Sequence, residues 1–242
     1  MDLGPEMTET RTALLLPALI VAAGLMGGGW LLGDGLTRAK HADRSVTVRG
    51  LAEQDVTADL ATWTISTSAV GSDLAALQAK ADSDGDAVIA FLKARGFTDA
   101  EIESGGISVN QYVDGNGRSN ITIRRRIQMR TTKVMAARTA FAGQAELMRK
   151  GVVFDSDAGG MVYSFTRLND VKPPMIAAAT KNAREGAEQF AKDSGAEVGD
   201  IKTAAQGYFS IIPRDGDTSF TNASASPFQK VRVVTTIDFY LD

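Results

Sequence analysis

Phe91, Lys93, Gly96 and Ile102 recur 99 residues later as Phe190, Lys192, Gly195 and Ile201. Each set falls where an amphipathic pattern stops at a glycine and an alternating pattern starts. Upstream, Ser72-Asp73 corresponds to Asn169-Asp170 after a small difference in length. A repeat constrains the fold more than any single segment, because both copies must bury the same kind of supersecondary unit.

The elements around the repeat follow from periodicity. A strand is expected from Ser45-Val46-Thr47-Val48 and another over Val56 to Val70, where β-branched residues alternate. Ser72-Asp73 opens a helix whose apolar positions Leu74, Leu77, Ala81, Val88, Phe91 and Leu92 share a face, with Gly96 as its stop. Thr98 and Glu101 have capping-box spacing. Strands over Ile107 to Val113 and Asn120 to Thr132 flank Asp114-Gly115-Asn116-Gly117, a turn composition that makes a hairpin. A helix over Val134 to Arg149 would bury Ala137, Phe141, Ala145 and Met148. Strand patterns return at Gly151 to Phe154 and Met161 to Leu168. A third helix after Asp170 carries Pro173 and Pro174 in its first turn and buries Ile176, Ala179, Ala183, Ala187 and Phe190. Strands over Ile201 to Ile212 and Lys230 to Leu241 complete the chain. The fold class expected is α+β: two related β-α-β-β modules, 46–133 and 151–242, joined by a connecting helix over 134–150, with helices on one face of mostly antiparallel sheet.

One transmembrane helix is expected to precede the modules. Thr12 to Gly33 is a run of 22 residues without a charge, containing Leu14, Leu19, Ile20 and Leu25 and closing on Trp30 and Leu31. A helix of that length crosses a hydrocarbon layer of roughly 30 Å. Pro17 falls near its start, and Trp30 sits at interfacial depth. The run exceeds a signal-peptide core and lacks an Ala-x-Ala site, so a retained anchor over 12–33 is preferred to a cleaved leader. Residues 1–11 form a tail and 34–45 a polar tether. Arg11 precedes the run and Arg38, Lys40 and Arg44 follow it, a balance that by itself places the modules on the cytoplasmic side.

Chemistry is constrained by what is scarce. With no Cys and one His (His41, in the tether), thiol nucleophiles, disulfides, Cys-ligated metals, His triads and multi-His metal sites drop out. No phosphate loop, nucleophile elbow or dinucleotide fingerprint appears. A net charge of −3 and the absence of an aromatic platform beside the arginines argue against nucleic acid. Glu53, Asp55 and Asp59 lie close together without a cation-loop pattern, and Asp215-Gly216-Asp217 is equally uninformative. No catalytic, cofactor or metal-binding residue is nominated, and the chain is expected not to be an enzyme.

Two features remain. In Ile121 to Arg130, alternation sends Ile121, Ile123, Ile127 and Met129 to one face and Arg124, Arg126 and Arg130 to the other, where they can be solvated. Arg125 falls in the apolar series and needs a carboxylate, a carbonyl or an edge position; a partner subunit is one possible source. Pro213 to Pro227 is a long polar stretch between strong strands, readable as a subunit contact, a disordered connection or a ligand site. Phe220 and the adjacent Phe228 favour contact. Arg125, Arg214, Asp215, Phe220, Asn222 and Phe228 are therefore the candidate interface residues.

With these elements placed, the chain resembles the SIMPL-domain family, also known as domain-of-unknown-function family 541. The resemblance runs through Ser45 to Glu53, Val56, Ala58-Asp59-Leu60-Ala61 and Trp63. It continues through Gly96-Phe97, Glu101-Ile102 and Ile107, is strongest from Phe165 to Pro173 and in Phe190-Ala191, Asp193-Ser194-Gly195 and Gln206-Gly207, and ends in Lys230 to Thr236. Ala58 stands where many members have Pro, and Leu51 replaces a frequent Gly, which suggests a divergent, anchored branch. The resemblance implies a bacterial cell-envelope protein with its modules in the periplasm, against the Lys/Arg balance. It also implies ring- or channel-like homo-oligomers, family-level links to oxidative stress and no established catalytic residues.

The function expected is that of an inner-membrane-anchored protein that assembles with itself into a ring or cage, in a scaffolding or channel-like role, because exposed strand edges and long hairpins pair with copies of themselves. Its expected partners are itself and the bilayer. The alternative is a module binding a stress-related ligand or partner, with oligomers incidental.

Overall fold

A computed structural model describes residues 22, 24–31, 33, 44–113, 115, 117, 119–155, 159–215 and 222–242. The chain divides into two units: a larger one of residues 51–179 and 207–234, and a smaller one of 1–50, 180–206 and 235–242.

The larger unit contains an antiparallel sheet in the order β3-β4-β2-β5, made of β2 (Leu60–Gly71), β3 (Ile102–Val113), β4 (Ser119–Thr131) and β5 (Met161–Ser164). Helices α1 (Leu74–Ala94), α2 (Val134–Ala142) and α3 (Ala145–Arg149) pack on one face. Alternation along β2 and β4 points Trp63, Ile65, Ile127 and Met129 at Val88, Phe91 and Leu92 of α1, Ala137 and Ala140 of α2 and Leu147 of α3. Trp63 meets Phe91 and Phe141 edge-on, with ring centroids 6.4 and 5.3 Å away. Each such buried large apolar side chain contributes about 2 to 3 kcal/mol of transfer free energy.

Local signals fix α1. Asp73 caps it, accepting from the Ala75 and Ala76 N–H groups at 3.0 and 3.3 Å. It stops at Gly96, whose φ of +87° suits a residue without Cβ. The Thr98–Glu101 capping box then forms as expected, over a 3₁₀ turn.

Also in the larger unit, β1 (Ser45–Thr57) from Leu51, α4 (Leu168–Ser194) as far as Ala179, β7 (Ser210–Pro213) and β8 (Phe228–Leu241) as far as Val234 bury Ala52, Val56, Met175, Ala179, Val231 and Val233. In the smaller unit, the remaining parts of β1, α4 and β8, with β6 (Val198–Gln206), enclose Val46, Ala183, Ala187, Ile237 and Phe239. The strand order is β1-β8-β6, and β7 also pairs with β8.

The architecture is α+β with antiparallel sheets, as expected, and several boundaries move. Val56 to Val70 is interrupted at Ala58-Asp59, where the Ala58 N–H donates to the Pro227 carbonyl and the Asp59 N–H to that of Ser164. The connecting helix breaks at Gly143, where a Cβ would lie 2.9 Å from Arg95 Nη2. Ala140 and Leu147 are buried, whereas Ala145 and Met148 are exposed. Gly151 to Phe154 holds only an isolated bridge, Thr67 to Phe154, and β5 stops at Ser164. Helix α4 begins at Leu168, which puts Pro173 and Pro174 in its second turn. Its buried stripe is Met175, Ala179, Ala183, Ala187 and Ala191; Phe190 is 53% exposed. Ile201 to Ile212 splits into β6 and β7 at Gly207, whose N–H donates to the Val234 carbonyl at 2.9 Å and where a Cβ would stand 2.4 Å from that oxygen.

Strand partners also cross the sequence halves. β1 neighbours β8, and β5 pairs with β2 through Leu60–Ser164 to Trp63–Met161. Of the expected anchor, Leu14, Leu19 and Ile20 lie outside the described residues. Leu25, Trp30 and Leu31 are helical and exposed. Among the described residues, no helix is long and apolar enough to cross a membrane.

Candidate interaction surface

The β3–β4 hairpin presents an edge and two unlike faces. β4 lies inside the sheet and β3 at one edge, so the outward backbone groups of β3 have no ladder partner among the described residues. On the helix-bearing face, Ile107, Val109 and Gln111 of β3 oppose Arg125, Ile123 and Ile121. Helix α1 covers β4 and β2 but stops short of β3, leaving Ile107, Val109 and Val113 51%, 53% and 56% exposed. Between α1 and β3 lies an apolar groove of about 330 Å³, lined by Leu74, Gln78, Ala81, Ile107, Val109 and Ile123.

The opposite face is polar. Ser66 and Ser68 on β2 oppose Arg126 and Arg124, and Ser108 on β3 also opposes Arg124. Arg124 Nε binds Asp155 Oδ2 at 2.5 Å. Asp155 is held in place by its own N–H, which donates to the Ser66 carbonyl. These residues border a cavity of about 480 Å³.

Arg125 finds its carboxylate within the chain. Its Nη1 donates to Asp82 Oδ1 of α1 at 3.0 Å, and the side chain is 15% exposed. Arg214 and Phe228 come together elsewhere in the larger unit, the guanidinium carbon 4.9 Å from the ring centroid. Arg214 also donates to the Val56 carbonyl at 3.3 Å and lies 3.6 Å from Asp55. Arg138 approaches the same ring at 5.6 Å. Asn222 caps the 3₁₀ turn Ala223–Ala225 by accepting from the Ser224 N–H, and Asp215 is exposed. Phe220, Asp217 and His41 lie outside the described residues.

The three acidic residues near the start are structural. Glu53 pairs with Lys230 and Arg232, and Asp55 with Arg214. Burial raises the Asp59 carboxyl, but hydrogen bonds from the Thr166 N–H and from Thr166 and Arg167 side chains outweigh it and leave the group below the ordinary aspartate range. Sequence reasoning did not single out Ile107, Val109 and Val113. The available signal was that Gly105 to Val113 carries no charge while predicted to be half of a hairpin.

The described residues thus form an α+β fold with antiparallel sheets, one of whose outer strands carries no charge from Gly105 to Val113. The profile of the SIMPL family, described as a protein of unknown function (DUF541), matches residues 46–239. The chain belongs to that family. No curated protein matches it.

Proposed function

We propose that the chain acts by assembling with copies of itself at the cell envelope, in a scaffolding or channel-like role, with the β3 edge as the principal contact. The observation that carries this reading is the contrast between two outer strands. β1 bears Arg49, Glu53 and Asp55, the kind of charge that blocks stray pairing, whereas Gly105 to Val113 of β3 bears none and exposes Ile107, Val109 and Val113. Edge pairing between copies satisfies the unpaired ladder and covers the groove beside α1, and cyclic closure leaves no free edge.

The exposed apolar helical residues Leu25, Met26, Trp30 and Leu31 support attachment to a bilayer. Attachment concentrates copies at one surface and strengthens weak contacts. The periplasmic side is proposed on the family resemblance. Because the chain has no cysteine, a single Ser210→Cys, labelled in intact cells with a membrane-impermeant maleimide, reads out orientation directly.

Mass photometry of the detergent-solubilised full chain tests assembly. The expected result is a discrete oligomer that Val109→Lys converts to monomer. A monomer at every concentration, or an oligomer indifferent to Val109→Lys, overturns the reading.

A further inference from the structure

The polar cavity on the open face of the β3-β4-β2-β5 sheet is a different kind of surface from the β3 edge. It is lined by Ser66, Ser108, Arg124, Arg126 and Asp155, with Gly106 at its border. Two guanidinium groups face one carboxylate, so the cavity has a local positive excess although the chain is net negative. Arg124 is already engaged by Asp155. Arg126 lies two residues further along the same face, and its side chain has no hydrogen-bond or ion-pair partner among the described residues.

The backbone beside Arg126 is irregular. Register passes from Ser104–Ile127 to Ile107–Arg125, so Gly105 and Gly106 together oppose the single residue Arg126. A bulge leaves one residue out of the ladder. Only glycine fits the first position, because a Cβ on Gly105 would lie 2.9 Å from the Arg126 carbonyl oxygen. The Ser66 hydroxyl projects from the strand on the other side of β4, opposite Arg126. The chain itself shows what this face recognises, since the carboxylate of Asp155 rests on the neighbouring guanidinium.

We propose that this cavity binds a small oxyanion-bearing ligand, its carboxylate or phosphate group held by Arg126 and by the hydroxyls of Ser66 and Ser108. A planar guanidinium matches either oxyanion with two parallel hydrogen bonds, and hydroxyl donors complete the set. Asp155 competes: it occupies Arg124 and repels an incoming anion.

The test is calorimetric titration of the detergent-solubilised full chain with inorganic phosphate and, separately, with succinate, at matched ionic strength. The amide shifts of Gly106 and Ser108 are followed in parallel. Saturable binding of either probe is expected, and the one that binds identifies the oxyanion class. Arg126→Gln weakens binding about tenfold, Asp155→Asn strengthens it several-fold, and Arg130→Gln, on the same face outside the cavity, leaves it unchanged. No saturation by about 10 mM of either probe overturns the proposal. Equal losses in Arg126→Gln and Arg130→Gln also overturn it, because they show attraction to the whole basic face. Neither result depends on whether copies of the chain associate.

Discussion

Arg125 of β4 and Gly85 of α1 occupy one another's space: a Cβ on Gly85 would stand 2.6 Å from the Arg125 guanidinium carbon. The guanidinium is held there by Asp82, three residues earlier on the same helix. A charged side chain on the apolar face of a strand is thereby accommodated beneath a helix, at a place where the helix has no side chain.

The relationship predicts a change of sign. Alanine is favoured over glycine within a helix by about 1 kcal/mol. Gly85→Ala should nevertheless destabilise the wild-type chain by about 1 kcal/mol, since Arg125 must leave Asp82 to make room. In an Arg125→Ala background the same substitution should stabilise by about 1 kcal/mol. Urea denaturation of the four chains measures this, and the same sign in both backgrounds would mean that Arg125 moves aside freely.

Gln229 is a buried hub. Its Nε2 donates to the carbonyls of Tyr163, Ala223 and Ser226 at 3.0, 2.9 and 3.3 Å, tying β5 to the turn before β8. Gln229→Leu keeps the approximate volume but strands those acceptors, at a cost of about 2 kcal/mol. Hydrogen exchange should accelerate first in residues 222–228, and uniform acceleration across the chain would contradict a local role.

Glu101 sets an acid limit. The Thr131 hydroxyl, the Thr98 N–H, Lys133 and the Thr98 hydroxyl outweigh burial and lower its carboxyl from 4.5 to about 2. A carboxyl depressed in the folded state contributes stability that is complete above its unfolded value and is lost as pH falls through its folded one. Stability should therefore decline between pH 4.5 and about 2, and Glu101→Gln should remove that part of the slope. Urea midpoints at successive pH values decide it. Equal slopes in both chains would refute the assignment.

Trp63 is the largest side chain in the main core and is 2% exposed. Trp63→Ala should cost about 4 kcal/mol, and Trp63→Phe considerably less, because a ring retains the edge contacts to Phe91 and Phe141. Thermal unfolding distinguishes them, and similar losses for the two would locate the stabilisation elsewhere.

Elements with local punctuation were legible in the sequence. Asp73 and Gly96 delimit α1 because capping is decided within a few residues, and the β3–β4 hairpin follows from alternation on both sides of one turn. What depends on distant chain was not legible. Nothing near Gly207 announces that the Val234 carbonyl will press against it, so one strand was expected where there are two. Along α4, hydrophobicity alone favours Phe190, yet the helix buries the small side chains Ala179, Ala183 and Ala187 among Val231, Val233, Ile237 and Phe239 of β8. The need of Arg125 for a carboxylate was readable, but its source was not. Asp82 lies 43 positions away, on a helix whose rotation about its axis decides which carboxylate arrives.

The interleaving of β1 and β5 imposes an order on biosynthesis. Among the described residues, β1, the first strand of the fold to leave the ribosome, has as its sheet neighbour β8, the last in chain order. Until β8 is made, β1 waits with its sheet neighbour still untranslated. A message cut short before β8 therefore loses more than that strand: it leaves β1 an orphan, open to capture by a chaperone or by the same strand of another nascent chain.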